Sequence, residues 1–199
     1  MSQPTILFLI LSITVSPPAK AQKKFLMGVK SGINIATQEM KGPYPFSIQP
    51  IVRTHIGVIT ELKLNKIGFQ GEFMYSGHGC QYSGILNQQL KSTFDYINVP
   101  WMLKWYITDN LSLVVGPQFG MIFDQEFQDD RTGVVTSEDF STLYSRFETS
   151  VGGGIEWEFY NRIGIYGRYI YGITEIDEGI SYLPFTKNKT LQFGLSYRF

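Results

Sequence analysis

The 199-residue chain carries 17 Lys+Arg and 17 Asp+Glu, so it lacks the basic excess by which a protein holds nucleic acid, and nothing marks a second domain. Its single cysteine, Cys80, rules out an internal disulfide and stands too far from the amino terminus to be a lipid-anchored residue. Beyond the amino-terminal region no stretch approaches the ~18 apolar residues of a transmembrane helix, so a membrane crossing by this chain requires a closed β-barrel.

The first element is an apolar run from Thr5 to Val15, too short to span a bilayer, followed by Pro17, Pro18 and Ala19-Lys20-Ala21. That order is the pattern of a secretory signal peptide with small residues, Ala19 and Ala21, at the cleavage site. It predicts a leader over residues 1–21 and one barrel domain over 22–199. Cleavage after Ala21 removes Lys20 and no acid, leaving 16 basic against 17 acidic residues and a net charge of -1.

From Gln22 onward hydrophobicity repeats every two residues, the period of strands with two unlike faces. In the first segment Phe25, Met27, Val29, Ile33 and Ile35 alternate with Gly28, Lys30, Gly32 and Asn34. In the second Ile56, Val58, Leu62 and Leu64 oppose His55, Gly57, Glu61 and Lys63, and in the third Ile67, Phe69, Phe73 and Tyr75 oppose Gly68, Gln70, Glu72 and Ser76. The fourth sets Ile97, Val99, Trp101, Leu103 and Trp105 against Asn98, Pro100, Met102 and Lys104. The fifth sets Leu111, Leu113, Val115, Phe119 and Met121 against Ser112, Gly116, Gln118 and Gly120.

The sixth segment pairs Phe147, Val151, Ile155, Trp157 and Phe159 with Glu148, Ser150, Gly152, Gly154, Glu156 and Glu158. The seventh sets Ile163, Ile165, Tyr169, Tyr171 and Ile173 against Gly164, Tyr166, Arg168 and Gly172. The eighth sets Leu191, Phe193, Leu195, Tyr197 and Phe199 against Gln192, Gly194, Ser196 and Arg198. Tight turns at Asn65-Lys66, 108–110 and Tyr160-Asn161 alternate with long polar loops near residues 36–52, 77–93, 124–144 and 175–187, and Cys80 falls in one of these loops as a free thiol. Short turns on one side and long loops on the other are the asymmetry of an outer-membrane barrel, here an eight-stranded antiparallel up-and-down transmembrane barrel. An even strand count puts both termini on the short-turn, periplasmic side.

Alternation alone also fits a water-soluble, lipocalin-like barrel with its apolar face turned inward. The polar face decides for the membrane: it is mostly Gly, Ser, Asn and Gln with a few charges of both signs, which suits a narrow interior and not a solvated exterior. Phe25, Trp105, Trp157, Phe159, Tyr197 and Phe199 mark one rim of the apolar face and Tyr75, Phe123, Phe147 and Tyr171 the other, as interfacial aromatic girdles do.

Several segments go beyond periodicity. Gly28-Val29-Lys30-Ser31-Gly32-Ile33-Asn34, Gly71-Glu72-Phe73-Met74-Tyr75-Ser76, Tyr96-Ile97-Asn98-Val99-Pro100 with Lys104-Trp105-Tyr106, Gly116-Pro117-Gln118, Gly152-Gly153-Gly154-Ile155-Glu156, Arg168-Tyr169 to Tyr171-Gly172 and Gly194-Leu195-Ser196-Tyr197-Arg198-Phe199 follow one another in order. The series resembles the outer-membrane β-barrel family that contains the PorT-like proteins. The resemblance covers essentially the whole mature chain and implies a fold and a location more than an activity; some relatives serve the type IX secretion apparatus. Resemblance to outer-membrane proteins in general makes Phe199, with Tyr197, a signal read by the barrel-assembly machinery.

An eight-stranded barrel is just wide enough for side chains to fill. Lys30, Glu72 and Arg168 near mid-depth, with Lys63, Lys104, Glu156, Glu158 and Arg198 lower down, are therefore expected to pair across the lumen and plug it, since an unpaired ion removed from water costs several kcal/mol. A wet, conducting lumen is the alternative. His55 and His78 have no metal-type spacing to Cys80 or to a carboxylate, and neither is given a serine partner of the kind a lipid-modifying hydrolase needs. No catalytic, cofactor or metal residues are expected. Asp124, Glu126, Asp129 and Asp130 form an acidic external loop, solvated or bridged weakly through divalent cations to lipopolysaccharide phosphates. The reading is a non-enzymatic barrel in contact with outer-membrane lipid and lipopolysaccharide, with secretion-system proteins as further partners.

Overall fold

In the computed structural model, which describes residues 23–40, 47–84, 89–129, 135–136, 146–160, 162–174 and 186–199, the alternating segments form eight antiparallel strands. They are β1 (Lys23–Met40), β2 (Ser47–Leu64), β3 (Ile67–Ser83), β4 (Gln89–Tyr106), β5 (Leu111–Asp129), β6 (Phe147–Tyr160), β7 (Ile163–Gly172) and β8 (Thr186–Arg198). Each strand pairs with its neighbours in sequence. Pairing of β1 with β8, from Gly28 opposite Arg198 to Met40 opposite Thr186, closes the ring. A two-residue strand, Val135–Thr136, pairs alongside Phe127 and Gln128 of β5. The leader expected over residues 1–21 lies outside the described residues.

Side-chain parity sorts the faces as the alternation requires. Phe25, Val58, Phe73, Trp101, Phe119, Ile155 and Leu195 point outward and are exposed, whereas Lys30, Asn34, Glu72, Lys104, Glu156 and Arg168 point inward and are buried. This is the reverse of a soluble core: hydrocarbon solvates the exterior, and the lumen holds the polar groups. The outward aromatics at the turn end include Trp105, Trp157 and Phe159, with Trp157 and Phe159 rings 5.9 Å apart, and Tyr75 and Phe123 meet at 6.0 Å toward the other end.

Two glycines permit close packing in so narrow a tube, one against a neighbouring backbone and one against a large ring. His55 of β2 and Tyr166 of β7 share one transverse row, separated by Gly32 of β1 and Gly194 of β8. A Cβ on Gly32 would stand 2.0 Å from the Phe193 carbonyl oxygen, and one on Gly194 would stand 2.7 Å from the Tyr166 hydroxyl. The His55 Nε2 and Tyr166 hydroxyl hydrogen-bond over this glycine floor.

The strands are longer than hydropathy alone implies. A barrel strand crosses the bilayer in ~9–11 residues, yet β1 to β5 each run 17–19 residues. Of the four segments expected to be loops, 36–40, 47–52, 77–83, 89–93, 124–129, 135–136 and 186–187 are strand, and the remainder lie mainly outside the described residues. The reason is solvent: beyond the hydrocarbon band the outer face also meets water, so the chain keeps pairing while the apolar alternation ends. Cys80 is corrected with them. It sits within β3, fully buried on the inner face, its thiol 3.2 Å from the Gln38 side-chain oxygen.

Phe73→Arg, on the outer face near mid-depth, is expected to cost ~2–4 kcal/mol of unfolding free energy, and Gly32→Ala ~1–3 kcal/mol through overpacking. Urea titration in lipid vesicles, read by the gel shift between folded and unfolded barrel, measures both; a neutral Phe73→Arg contradicts the outward assignment.

Candidate functional site

Parity and register bring charged residues from seven of the eight strands to the barrel axis in its turn-side half. β1 supplies Lys30, β2 Glu61, β3 Gln70 and Glu72, β4 Lys104, β6 Glu156, β7 Arg168 and β8 Arg198, all buried. Glu156 is the hub. One carboxylate oxygen accepts from Lys30 and from Arg168 Nη2 at 2.6 Å, and the other accepts from Lys104 at 2.8 Å and Arg198 at 3.1 Å. Arg168 also grips Glu72 with two parallel bonds of 2.9 and 2.5 Å, the bidentate geometry a guanidinium makes with a carboxylate. Lys30 joins Glu72 at 3.0 Å.

Glu61 completes the cluster, accepting from Lys104 at 3.0 Å, Arg198 Nε at 3.2 Å and the Tyr106 hydroxyl. Gln70 bridges it, donating to Glu72 and Glu156 and accepting from Lys104. Four cations thus face three carboxylates, an excess of one positive charge. Glu158 stands 3.6 Å from Arg198 at the half-exposed margin and brings a fourth carboxylate. Tyr166 roofs the cluster, with Lys30 Nζ 4.4 Å and the Arg168 guanidinium 5.3 Å from its ring centre.

Above Tyr166 the lumen is mainly uncharged, and many of its side chains hydrogen-bond to one another. Asn34 donates to Ser76 and the Gly77 carbonyl and accepts from Gln192. The Tyr82 hydroxyl and the Gln38–Asn188 contact carry the network outward. Asn188 also donates to Tyr96 and to Glu148, a buried carboxylate that accepts from Ser150 as well. His78 lies 3.0 Å from both the Ser76 and Thr190 hydroxyls. A serine thus does reach His78, contrary to the sequence expectation; the other ring nitrogen faces a threonine and no acid, and the group is enclosed in the wall of the lumen.

Among the residues expected to share the network, Lys30, Glu72, Lys104, Glu156, Arg168 and Arg198 come together. Lys63 does not. It shares their parity but sits next to the turn, where its Nζ lies 3.8 Å from the Tyr106 ring centre and 3.3 Å from the Asp109 carbonyl oxygen. Glu61, Gln70, Tyr106 and Tyr166 were missed as members. Parity alone places Glu61 inward with His55 and Gly57, so the alternation held the signal. Asp124 and Glu126 are exposed on β5 itself and not in a loop, Asp129 is the last residue of that strand, and Asp130 lies outside the described residues. Among the described residues no cluster of His, Cys, Asp and Glu is arranged to hold a metal ion.

Residues 19–178 match the family described as outer membrane protein beta-barrel domain. The chain belongs to that family. No curated protein matches the sequence. Among solved structures it is similar to Ail, the attachment invasion locus protein of Yersinia pestis, seen in complex with the heparin analogue sucrose octasulfate: 16% identity, 88% of this chain and 99% of that one, TM-score 0.50. It is also similar to Neisserial surface protein A, at 10% identity over 87% of this chain and 97% of that one, TM-score 0.53. The eight-stranded barrel is therefore an outer-membrane protein.

Removing one buried partner leaves the others uncompensated, so Glu156→Gln, which takes from four buried cations the carboxylate they share, is expected to cost ~3–5 kcal/mol of stability. Replacing Glu72 and Arg168 together by methionine should cost less than the sum of the single replacements. Urea midpoints of the singles and the double give the coupling directly; strict additivity contradicts a shared network.

Proposed function

We propose that this protein is a non-enzymatic barrel of the outer membrane with a sealed lumen, acting as a structural or interaction protein through the surfaces it presents on either side. The observation that carries the reading is the filled lumen: side chains from seven strands meet at Glu156, Glu72 and Glu61 and leave the axis occupied by paired charge. Such a cross-section supports a scaffold in preference to a pore. In this reading a leader ending at Ala21 is removed, the termini and tight turns lie in the periplasm, and the long walls of β1 to β5 rise beyond the outer leaflet.

The ordered motifs from Gly28-Val29-Lys30 to Tyr197-Arg198-Phe199 support kinship with PorT-like proteins, and with it an accessory role in a type IX-like secretion system as the second reading. Lipopolysaccharide and phospholipid are then the standing partners, and the barrel-assembly machinery a transient one that meets the strand carrying Tyr197 and Phe199.

Pure protein in planar bilayers is expected to give no steady unitary current; regular single-channel steps contradict the sealed lumen. Orientation is read separately in intact cells with a membrane-impermeant maleimide, against a buried and silent Cys80. Lys91→Cys should label and Lys66→Cys should not, and the converse pattern reverses the orientation.

A further inference from the structure

The loop-side end of β8 carries two lysines on the lipid-facing side of the wall. Lys187 and Lys189 share the parity of Leu191, Phe193 and Leu195, which point outward and are exposed. Lys189 lies opposite Tyr171 of β7 on one side and Thr37 of β1 on the other, and Lys187 lies opposite Glu39. Tyr171 and Glu39 have the outward parity of the exposed Tyr169 and Ile33. Both lysines, the tyrosine and the carboxylate therefore stand on one face, outside the barrel.

These four side chains form a connected patch. Lys189 Nζ pairs with a Glu39 oxygen at 2.9 Å, and the Tyr171 hydroxyl donates to the same oxygen at 3.3 Å. The Nζ atoms of Lys187 and Lys189 lie 5.7 and 5.8 Å from the Tyr171 ring centre, so one ring draws in both ammonium groups. Glu39 answers only one of them. Among the described residues Lys187 has no carboxylate within ion-pair distance, which leaves the patch one positive charge in excess.

Depth puts the patch at the edge of the hydrocarbon. From Phe199, at the turn-side rim, to Lys189 is ten residues, about 34 Å along a strand and about 24 Å of depth at a ~45° tilt, the height of a ~25 Å apolar band. Leu191, Phe193 and Tyr169 continue the apolar wall from the lysines toward the turns. An anion that meets these lysines from outside the barrel has hydrocarbon directly beneath it, which is the layout of a lipid headgroup above its acyl chains. A phosphate monoester, with a charge of about -1.5 to -2 at neutral pH, suits two ammonium groups better than a singly charged phosphodiester does.

We infer that this patch binds lipid A, the phosphorylated glycolipid of lipopolysaccharide, with a phosphate monoester held by Lys187 and Lys189 and acyl chains laid against Leu191 and Phe193. The contact is direct, without the divalent cation that carboxylates such as Asp124 and Glu126 require to meet a phosphate. It deepens the proposal that lipopolysaccharide is a standing partner and rests on the proposed orientation for its leaflet. Binding by the isolated barrel does not depend on orientation, so a reversed labelling pattern in cells and a failed binding experiment are separate results.

The test is native mass spectrometry of the full barrel in detergent with EDTA present, offered lipid A, the same lipid A stripped of its phosphates, phosphatidylglycerol and inorganic phosphate. Lipid A should be retained about tenfold over its dephosphorylated form, as expected for two lysines at an anionic headgroup. The Lys187→Gln, Lys189→Gln double variant should lose that preference, and the Asp124→Asn, Glu126→Gln double variant should keep it. A gel shift on heating verifies that each variant is folded. Lys187→Gln alone, which breaks no ion pair among the described residues, serves if the lysine double variant is not, and should lower the preference severalfold. Equal retention of the two forms of lipid A overturns this site while leaving lipopolysaccharide a partner through its chains alone. Phosphatidylglycerol or inorganic phosphate bound as well as lipid A, a preference that survives the lysine substitutions, or one lost with Asp124 and Glu126 overturns the inference as well.

Discussion

A backbone that crosses hydrocarbon has no water to bond, so every N–H and C=O in the band must find a partner within the protein. Closure of β1 onto β8 satisfies that constraint for this chain, and the remaining architecture follows from it. A closed ring of eight strands has one face toward lipid and one toward an interior barely wider than its own side chains. Apolar residues therefore alternate outward, and whatever is polar on the same strands is forced together inside.

That compression explains the chemistry of the lumen. Lys30, Lys104, Arg168 and Arg198 are too long to be ignored in so narrow a tube and too costly to leave unpaired away from water, and Glu61, Glu72 and Glu156 stand on the right parity to meet them. The pairs tie strands far apart in sequence, as Lys30 does with Glu156. Glycine makes the opposite contribution, since Gly194 leaves room for the Tyr166 ring and Gly32 lets β1 lie close against the backbone of β8. Filled in this way, the turn-side half of the interior ties the strands to one another across the axis.

Most of this was legible from a period of two. The eight strands and their faces follow from residues such as Phe73, Trp101 and Ile155 set against Glu72, Lys104 and Glu156, and the turns at Asn65-Lys66 and 108–110 fall between strands as expected. What escaped the pattern did so for identifiable reasons. Residues 77–83 and 89–95 keep pairing where both faces of the wall meet polar surroundings, so hydropathy has nothing to report there, and the pattern places Cys80 in a loop although it is held inside. Lys63 carries inward parity but is too close to the turn to reach the axis, a matter of depth that parity does not encode. Glu61, by contrast, was available to the alternation and needed only to be counted with its neighbours.

All three tryptophans in the chain, Trp101, Trp105 and Trp157, lie on the outer face and are about half exposed or more. Quenching of their fluorescence by brominated phospholipids in reconstituted vesicles therefore tests the outward orientation of the apolar face most directly. With single-tryptophan variants, Trp101 should be quenched most by bromines deep in the acyl chain, and Trp105 and Trp157 most by bromines near the headgroup. Emission untouched by bromine at any depth would contradict the account.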